Sequence, residues 1–529
     1  MADTEKPVSH DALMASPGIN GLSNEAALER IGWLIDWSGD LKRNDGIERA
    51  LAWCDLLEQR GLSNADAVLV SYFRANAWAS KQSRKYADRS AAWAWEQKEL
   101  QEQILNLRRA VNHAGFNDVS PIRQCQILTN LANQLNSVGR FVEALEYWNR
   151  ALTIRPWFGM AVGNRGYGLA EYAKALNDLG HKGVFLRFAH QGLSAALLPE
   201  AEYEWPGYEN AKGVFQRLRD QIDSVVDIEE ISCSMELDDH ELGSSDEERS
   251  YRRWCLYNGL FLNPLNDLGL YSIAGHDVLM LPSFVTAIDE PPHLIGFFNQ
   301  MKQEFVSARW LFYEGKHARD VHFADREVAL YNTLDYPSYS LAVEKVKATY
   351  RIAYSLFDKI AFFLNTYLDL GIDTTKVYFR SVWYEKGDPR KRVLRPEFER
   401  SENWPLRGLY WLAKDLYDDD FRDVTEPDAQ ALFEIRNHLE HSYLKIHEML
   451  VPPPTDPESP GAWWIDQLAY SIQRQDFEAK TVRLLKLARA ALTYLSLAMH
   501  REERRRGAQK GEVRSMPMTL DLWEDDWKR

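Results

Sequence analysis

From about Asn24 to Leu198 apolar residues recur at three- and four-residue spacing, with small residues where helices would cross. Within that stretch, QCQILTNLANQLNSVGRFVEALEYWNRALTIRP, Gln124 to Pro156, reads as two helices joined by a short turn. Ala132 supplies the small residue expected on the first helix, and Leu131, Gly139, Ala144, Trp148, Ala151 and Pro156 complete a regular set. Such a pair cannot bury both of its faces. Stacked copies can, so the stretch is expected to form a short solenoid of about three to five helix pairs.

The unit resembles a tetratricopeptide repeat (TPR), with Leu128 where that motif usually carries Trp and Leu135 where it carries Tyr. Met160 to Leu176 begins like another repeat, with Gly166 in the small position, and the text before Gln124 is helix-pair-like without a clean motif. Stacked repeats of this kind offer grooves to peptides or helices, so a protein partner is expected there.

After Pro199 the pattern loosens into DIEEISCSMELDDHELGSSDEERS, and residues 201–250 read as an acidic linker or exposed edge. Tyr251 to Ser272 is irregular, and loops follow to Pro292. Four amphipathic segments then point to a helical bundle: Leu341 to Leu370, Leu406 to Tyr417, Glu426 to Leu450 and Gln475 to Arg505. Thr425 and Pro427 suit the start of the third, and Pro452, Pro453 and Pro454 its end. The expected fold is therefore all-α. A flexible start over 1–23 precedes repeats over 24–200, and a helical domain over 251–505 precedes a tail over 506–529.

The third segment carries an unusual set in EIRNHLEHSYLKIHE, Glu434 to Glu448. At about 100° per residue, Leu432, Ile435, Leu439, Tyr443, Ile446 and Leu450 form one stripe. Arg436 borders the stripe, while Asn437 and His441 point nearly opposite. Arg436 and His441 stand about 140° apart around the axis, so a second surface is needed to bring both to one ligand. A dimer supplies that surface.

RNA cleavage needs a base for the 2′-OH, an acid for the leaving 5′-oxygen and positive charge on the phosphate. A histidine can move protons near neutral pH, an arginine fork can grip two phosphate oxygens, and Asn437 can orient either the imidazole or the substrate. Other readings stay open. His438 and His441 with Glu434 could hold a metal, but further ligands are not evident nearby and Arg436 would repel a cation. A solvated polar face is the plain alternative; it suits His438 and His447, and Glu440 could simply pair with Arg436.

Arg436, Asn437 and His441 on such a helix resemble the R-x4-6-H motif of HEPN-domain proteins, and RNHLEHSYLKIHE with WCLYNGLFLNPLNDLG is similar to a bacterial HEPN subgroup with N-terminal helical repeats. The likeness spans roughly residues 240 to 505. It implies a metal-independent endoribonuclease without a cofactor, dimeric, acting as a toxin or antiphage effector, with Arg436, Asn437 and His441 as its catalytic set. A HEPN module that binds nucleotide, RNA or protein without cutting is the alternative.

The net charge of −15 excludes coating nucleic acid by bulk electrostatics, so RNA contact must be local. In EKGDPRKRVLRPEFER, Lys386, Arg390, Lys391, Arg392 and Arg395 form either a phosphate-tracking loop or a solvated loop balancing nearby acids. Tyr354, Asp358 and Asn365 break the apolar pattern of the first bundle segment, as supports for the site or as satisfied flank residues. No secretory signal or apolar run long enough to span a membrane is present, and the four scattered cysteines suit a reducing cytoplasm. The repeats are expected to regulate the bundle rather than support it, so that a fragment from about Asp238 onward keeps any cleavage activity.

Overall fold

The computed structural model describes residues 9–528 apart from 87, 204–208, 288, 332, 334, 388–391, 419–420, 422–428, 449–465, 467, 511–515 and 517. Helices begin with α1 (His10–Ala15), α2 (Asn24–Asp40), α3 (Asn44–Glu58), α4 (Asn64–Lys85) and α5 (Arg89–Ala92). They continue with α6 (Lys98–Asn112), α7 (Pro121–Ser137), α8 (Phe141–Ile154), α9 (Gly159–Ala175) and α10 (Leu179–Ala195). Neighbours α7 and α8, then α9 and α10, pack as antiparallel-type pairs compatible with TPR-like repeats.

Ser120 caps α7 with Pro121 in its first turn, and Gly139 takes a left-handed φ of 89° in the turn to α8. Trp148 lies against Gly168 of the next pair, where a Cβ would stand 2.5 Å from its ring. A bulky ring on one pair and a glycine on the next thus set the stacking distance. Residues 201–250 carry α11 (Glu209–Val225), α12 (Ile228–Ser234) and the start of α13 (Asp246–Tyr257). Phe215, Leu218 and Ile222 of α11 are buried, so this acidic stretch contributes to the core despite its charge.

The C-terminal half contains α14 (His293–His317), α15 (Leu341–Tyr367), α16 (Pro396–Glu399), α17 (Trp404–Tyr417), α18 (Ala429–His441) and α19 (Arg474–Lys510). Helix α14 has no counterpart among the expected bundle segments, yet it packs along α15 and buries Phe298, Met301, Phe305 and Phe312. Its apolar face is interrupted by buried Arg309, held by Asp277 and the Leu260 carbonyl.

The third expected segment needs correction. Helix α18 stops at His441, and the chain turns into strand β1 (Tyr443–His447), parallel to β2 (Ala469–Gln473). Lys445 explains the change of backbone: it is buried between Asp335 at 2.5 Å and Asp466 at 2.9 Å, partners brought up by the arm before α15 and by the chain just ahead of β2. The stripe therefore holds through Leu432, Ile435 and Leu439 but not beyond. Tyr443 is exposed, and Ile446 is buried from a strand. Among the described residues the fold is all-α apart from this small sheet and two isolated bridges, Phe158 to Glu202 and Tyr384 to Leu394. Thr425, Pro427, Leu450 and Pro452 to Pro454 lie outside the described residues.

From α4 onward the repeat region and the bundle share one continuous core, while α1 to α3 and part of α4 close on a second, smaller cluster. Every residue of α17 is buried, and its Arg407 and Lys414 reach across to the N-terminal half, to the Ala94 carbonyl and to Gln101, both at 2.8 Å. Asp415 receives both guanidinium nitrogens of Arg108 at 2.9 Å and a further bond from Arg140, which also binds Glu143. Burial pushes the Asp415 carboxyl up, but the two guanidiniums outweigh it and hold it below the usual range. Gly408 meets Gly139 so closely that a Cβ on either would stand about 2 Å from backbone, 2.2 Å from the Gly139 carbonyl and 2.1 Å from the Trp404 carbonyl respectively. Trp404 donates to the Asn136 carbonyl at 2.7 Å, and Trp95 to that of Ser401 at 2.8 Å.

This joint core argues against a separable C-terminal fragment, because removing α6 to α8 would expose the apolar face of α17 and leave Asp415 without Arg108 and Arg140. The fragment from Asp238 onward is predicted to lack a cooperative thermal transition. In the full chain, Asp415→Ala leaves two buried arginines short of their carboxylate and should cost about 3–5 kcal/mol in denaturant unfolding. A stable, cooperatively melting fragment would contradict the shared core.

Candidate active site on the helix Ala429–His441

Helix α18 is fixed on its core side by Leu432, Ile435 and Leu439, all buried. Two residues of α15 hold its carbonyls: Tyr350 donates to the Leu432 oxygen at 2.5 Å and Arg351 to that of Leu439 at 2.9 Å. Arg351 also approaches Glu440 at 3.7 Å. That contact replaces the expected pairing of Glu440 with Arg436.

Arg436 is half-buried and turns toward α15. Its guanidinium lies 5.7 Å from the Tyr354 ring centroid, and Nη1 donates to Asn437 Oδ1 at 3.2 Å. Tyr354 meets Tyr417 edge-on at 6.3 Å, and the two hydroxyls hydrogen-bond. Asp358, one turn along α15, accepts the Phe379 amide at 2.9 Å. Burial raises its pKa, while that amide and then the fields of Arg436 and Arg380 oppose the rise. Tyr354 and Asp358 therefore act as supports around Arg436. Asn365 instead makes two bonds to the backbone of Ile372, a structural task.

His441 is the last residue of α18 and is exposed, without a hydrogen bond or ion pair among the described residues. The structure thus brings Arg436 and Asn437 into contact. It leaves His441 five positions on, about 7.5 Å along the axis and 140° around it. His438 bonds the Ser442 hydroxyl at 2.6 Å and lies 5.4 Å from the Tyr470 ring, so it fastens the helix end to β2. His447 is buried in β1. Among the described residues no group of three His, Cys, Asp or Glu is arranged to hold a metal ion.

The basic loop is only partly available. Arg392 lies 3.6 Å from Asp418 and over the Tyr384 ring at 5.6 Å, and Arg395 donates to the Leu370 carbonyl at 3.3 Å. Lys386 is exposed, and Arg390 and Lys391 lie outside the described residues. Asp418 directly follows Tyr417, so Arg392 is anchored at the same end of α17 that supports Tyr354.

Sequence reasoning missed Arg351, Tyr470 and the whole sheet. The four-residue spacing of Tyr354 and Asp358 was the one available sign of a polar edge on α15.

Residues 285–502 match the family model described as LA2681-like HEPN. The C-terminal part of the chain therefore carries a HEPN domain. The match includes α14, α15, α17, α18, the sheet and most of α19, so Arg436, Asn437 and His441 fall inside it. No curated protein and no solved structure matches the chain. Among the described residues no helix is long and apolar enough to cross a membrane.

One pH dependence follows from the sheet beneath the helix end. His447 has an unpartnered Nδ1, and burial lowers its pKa below the ordinary 6.5. The folded state keeps it neutral while the unfolded chain takes up a proton, so its contribution is present above about pH 6.5 and is lost as pH falls. Burial shifts His500 and His276 in the same direction. The melting temperature should drop between pH 7.5 and pH 5.5, and His447→Gln should reduce that drop. An unchanged melting temperature across this window would contradict the assignment.

Proposed function

We propose that the protein is a metal-independent endoribonuclease of HEPN type, active as a homodimer and needing no cofactor. The observation that carries this reading is the divided placement on α18 of a braced cation and an open histidine within a HEPN domain. Arg436 is held by Tyr354 and Asn437, while His441 is free to meet a substrate. A phosphate in contact with the Arg436 fork gains charge as the 2′-oxygen attacks phosphorus, and a fixed guanidinium stabilises that charge without reorganising.

In the reaction a histidine takes the proton of the 2′-OH. The 2′-oxygen bonds to phosphorus, the bond to the 5′-oxygen breaks, and a second acid protonates that oxygen. Each protomer has one motif histidine, so two His441 residues related by a two-fold axis divide the base and acid roles. The Asn437 and His441 face, directed away from the core stripe, is the surface on which the second protomer closes. Lys386, Arg390, Lys391, Arg392 and Arg395 track the substrate backbone, with Arg395 contributing least because its charge is spent on Leu370.

In the cell the activity fits a toxin or antiphage effector in the cytoplasm, restrained or triggered by a protein partner, such as an antitoxin, on the TPR-like repeats. The inward turn of Arg436 favours a second reading, a HEPN module that binds nucleotide, RNA or protein without cutting. The two are separated by incubating the full chain with RNA in EDTA. Cleavage is expected, and His441→Ala should lower its rate by about 10² to 10⁴ with the helical spectrum and melting temperature nearly unchanged. Arg436→Ala should be comparably damaging and Arg436→Lys only partly restored, because an ammonium lacks the two-pronged grip. His438→Ala should be mild. Intact RNA throughout, or activity restored only by added zinc, would favour the alternatives.

A further inference from the structure

The connection from α14 to α15, residues 318–340, lies beside the end of α18 and takes part in none of the interactions described for Arg436. Among its described residues the regular structure is one short turn, Phe323–Asp325. It is nevertheless tied down. Asp335 binds Lys445, Ser338 donates to the Ile446 carbonyl at 2.7 Å, and both Asp325 oxygens accept the Leu341 amide at 3.0 Å. These ties hold the arm against β1, which starts two residues after His441.

Chain fixed in this way usually turns its apolar side chains inward. Here they face water: Phe323 is 74% exposed, Tyr331 95%, Tyr336 58% and Tyr339 49%, and Tyr443 on β1 is 40% exposed. Tyr336 also has a left-handed φ of 52°, a costly backbone for a bulky residue, between the anchors at Asp335 and Ser338. The rings are presented rather than buried.

We infer that this arm is a stacking platform for the bases of single-stranded RNA leading to His441. The inference rests on the ribonuclease reading and names the part of the substrate that the arm recognises. Every base has a π-face, so a row of exposed rings binds a strand with little regard to sequence. The arm offers no surplus positive charge: exposed Arg319 and Arg326 are matched by exposed Asp320 and Glu327, Asp335 is paired with Lys445, and Asp325 accepts the Leu341 amide. Its contribution is therefore stacking, and the phosphates fall to residues elsewhere. Single-stranded RNA is favoured over a protein because the described residues of the arm form no helix or sheet face to interdigitate, and because the arm is tied to Lys445 and Ile446 of the strand whose exposed Tyr443 stands two residues from His441. Val321, Val328 and Leu330 are exposed as well, so a second copy of the chain is the competing occupant.

The test uses the full chain with His441→Ala, so that RNA is bound but not cut, and a labelled single-stranded RNA oligonucleotide read by fluorescence anisotropy. Replacing Tyr331, Tyr336 and Tyr339 together by Ala should weaken binding about tenfold or more. The same three positions changed to Phe should retain affinity, because the ring remains. The slope of affinity against salt should stay the same in all three proteins, since no phosphate contact is removed. Equal affinity of the Ala and parent proteins, Phe variants as weak as the Ala set, or no RNA binding by the parent would overturn the platform. Loss of dimer mass by light scattering in the Ala set would assign the arm to contact between copies instead. Ring-dependent binding by a wild-type chain that never cuts would sink the ribonuclease reading and leave this one standing. Cleavage with ring-independent binding would do the reverse.

Discussion

Asp415 is the point on which the rest of the molecule turns. A carboxylate buried in an apolar interior is tolerable only when fully paired, and its partners, Arg108 of α6 and Arg140 at the cap of α8, lie more than 270 residues away in sequence. Satisfying that charge obliges α6, α7 and α8 to lie against α17. The contact of Gly139 with Gly408 then fixes the approach, because neither backbone leaves room for a Cβ. Two residues beyond Asp415, Tyr417 meets the Tyr354 ring that carries Arg436. The repeats are thus part of the frame that positions the candidate site. A displacement of α7 or α8 would reach Arg436 through one buried helix.

Those features that depend on local spacing were legible in the sequence. Residues Gln124 to Pro156 form the expected helix pair, and Leu432, Ile435 and Leu439 face the core as their spacing requires. His441 faces solvent for the same reason. The strand after His441 was not legible, because Tyr443 and Ile446 continue the helical period by coincidence while the deciding interaction, Lys445 with Asp335 and Asp466, joins segments remote in sequence. Helix α14 was hidden by Arg309 within its buried face, which makes sense only beside Asp277. The inward turn of Arg436 likewise depends on Tyr354 of another helix. Long-range pairing of polar groups, not propensity, accounts for each of these differences.

The candidate site divides two requirements of phosphoryl chemistry between two environments. Arg436 is held in a half-buried setting where its charge is worth more and its geometry is fixed, and His441 remains in water where protons can be exchanged. A single protomer keeps the two apart, which is why a second protomer is integral to the proposed reaction. The chemical nature of the cleavage products reports on this account most directly. RNA cut by the full chain in EDTA should carry 2′,3′-cyclic phosphate and 5′-hydroxyl ends, the signature of attack by the neighbouring 2′-oxygen. Products with 5′-phosphate and 3′-hydroxyl ends, or equal cutting of a substrate lacking 2′-hydroxyls, would contradict it.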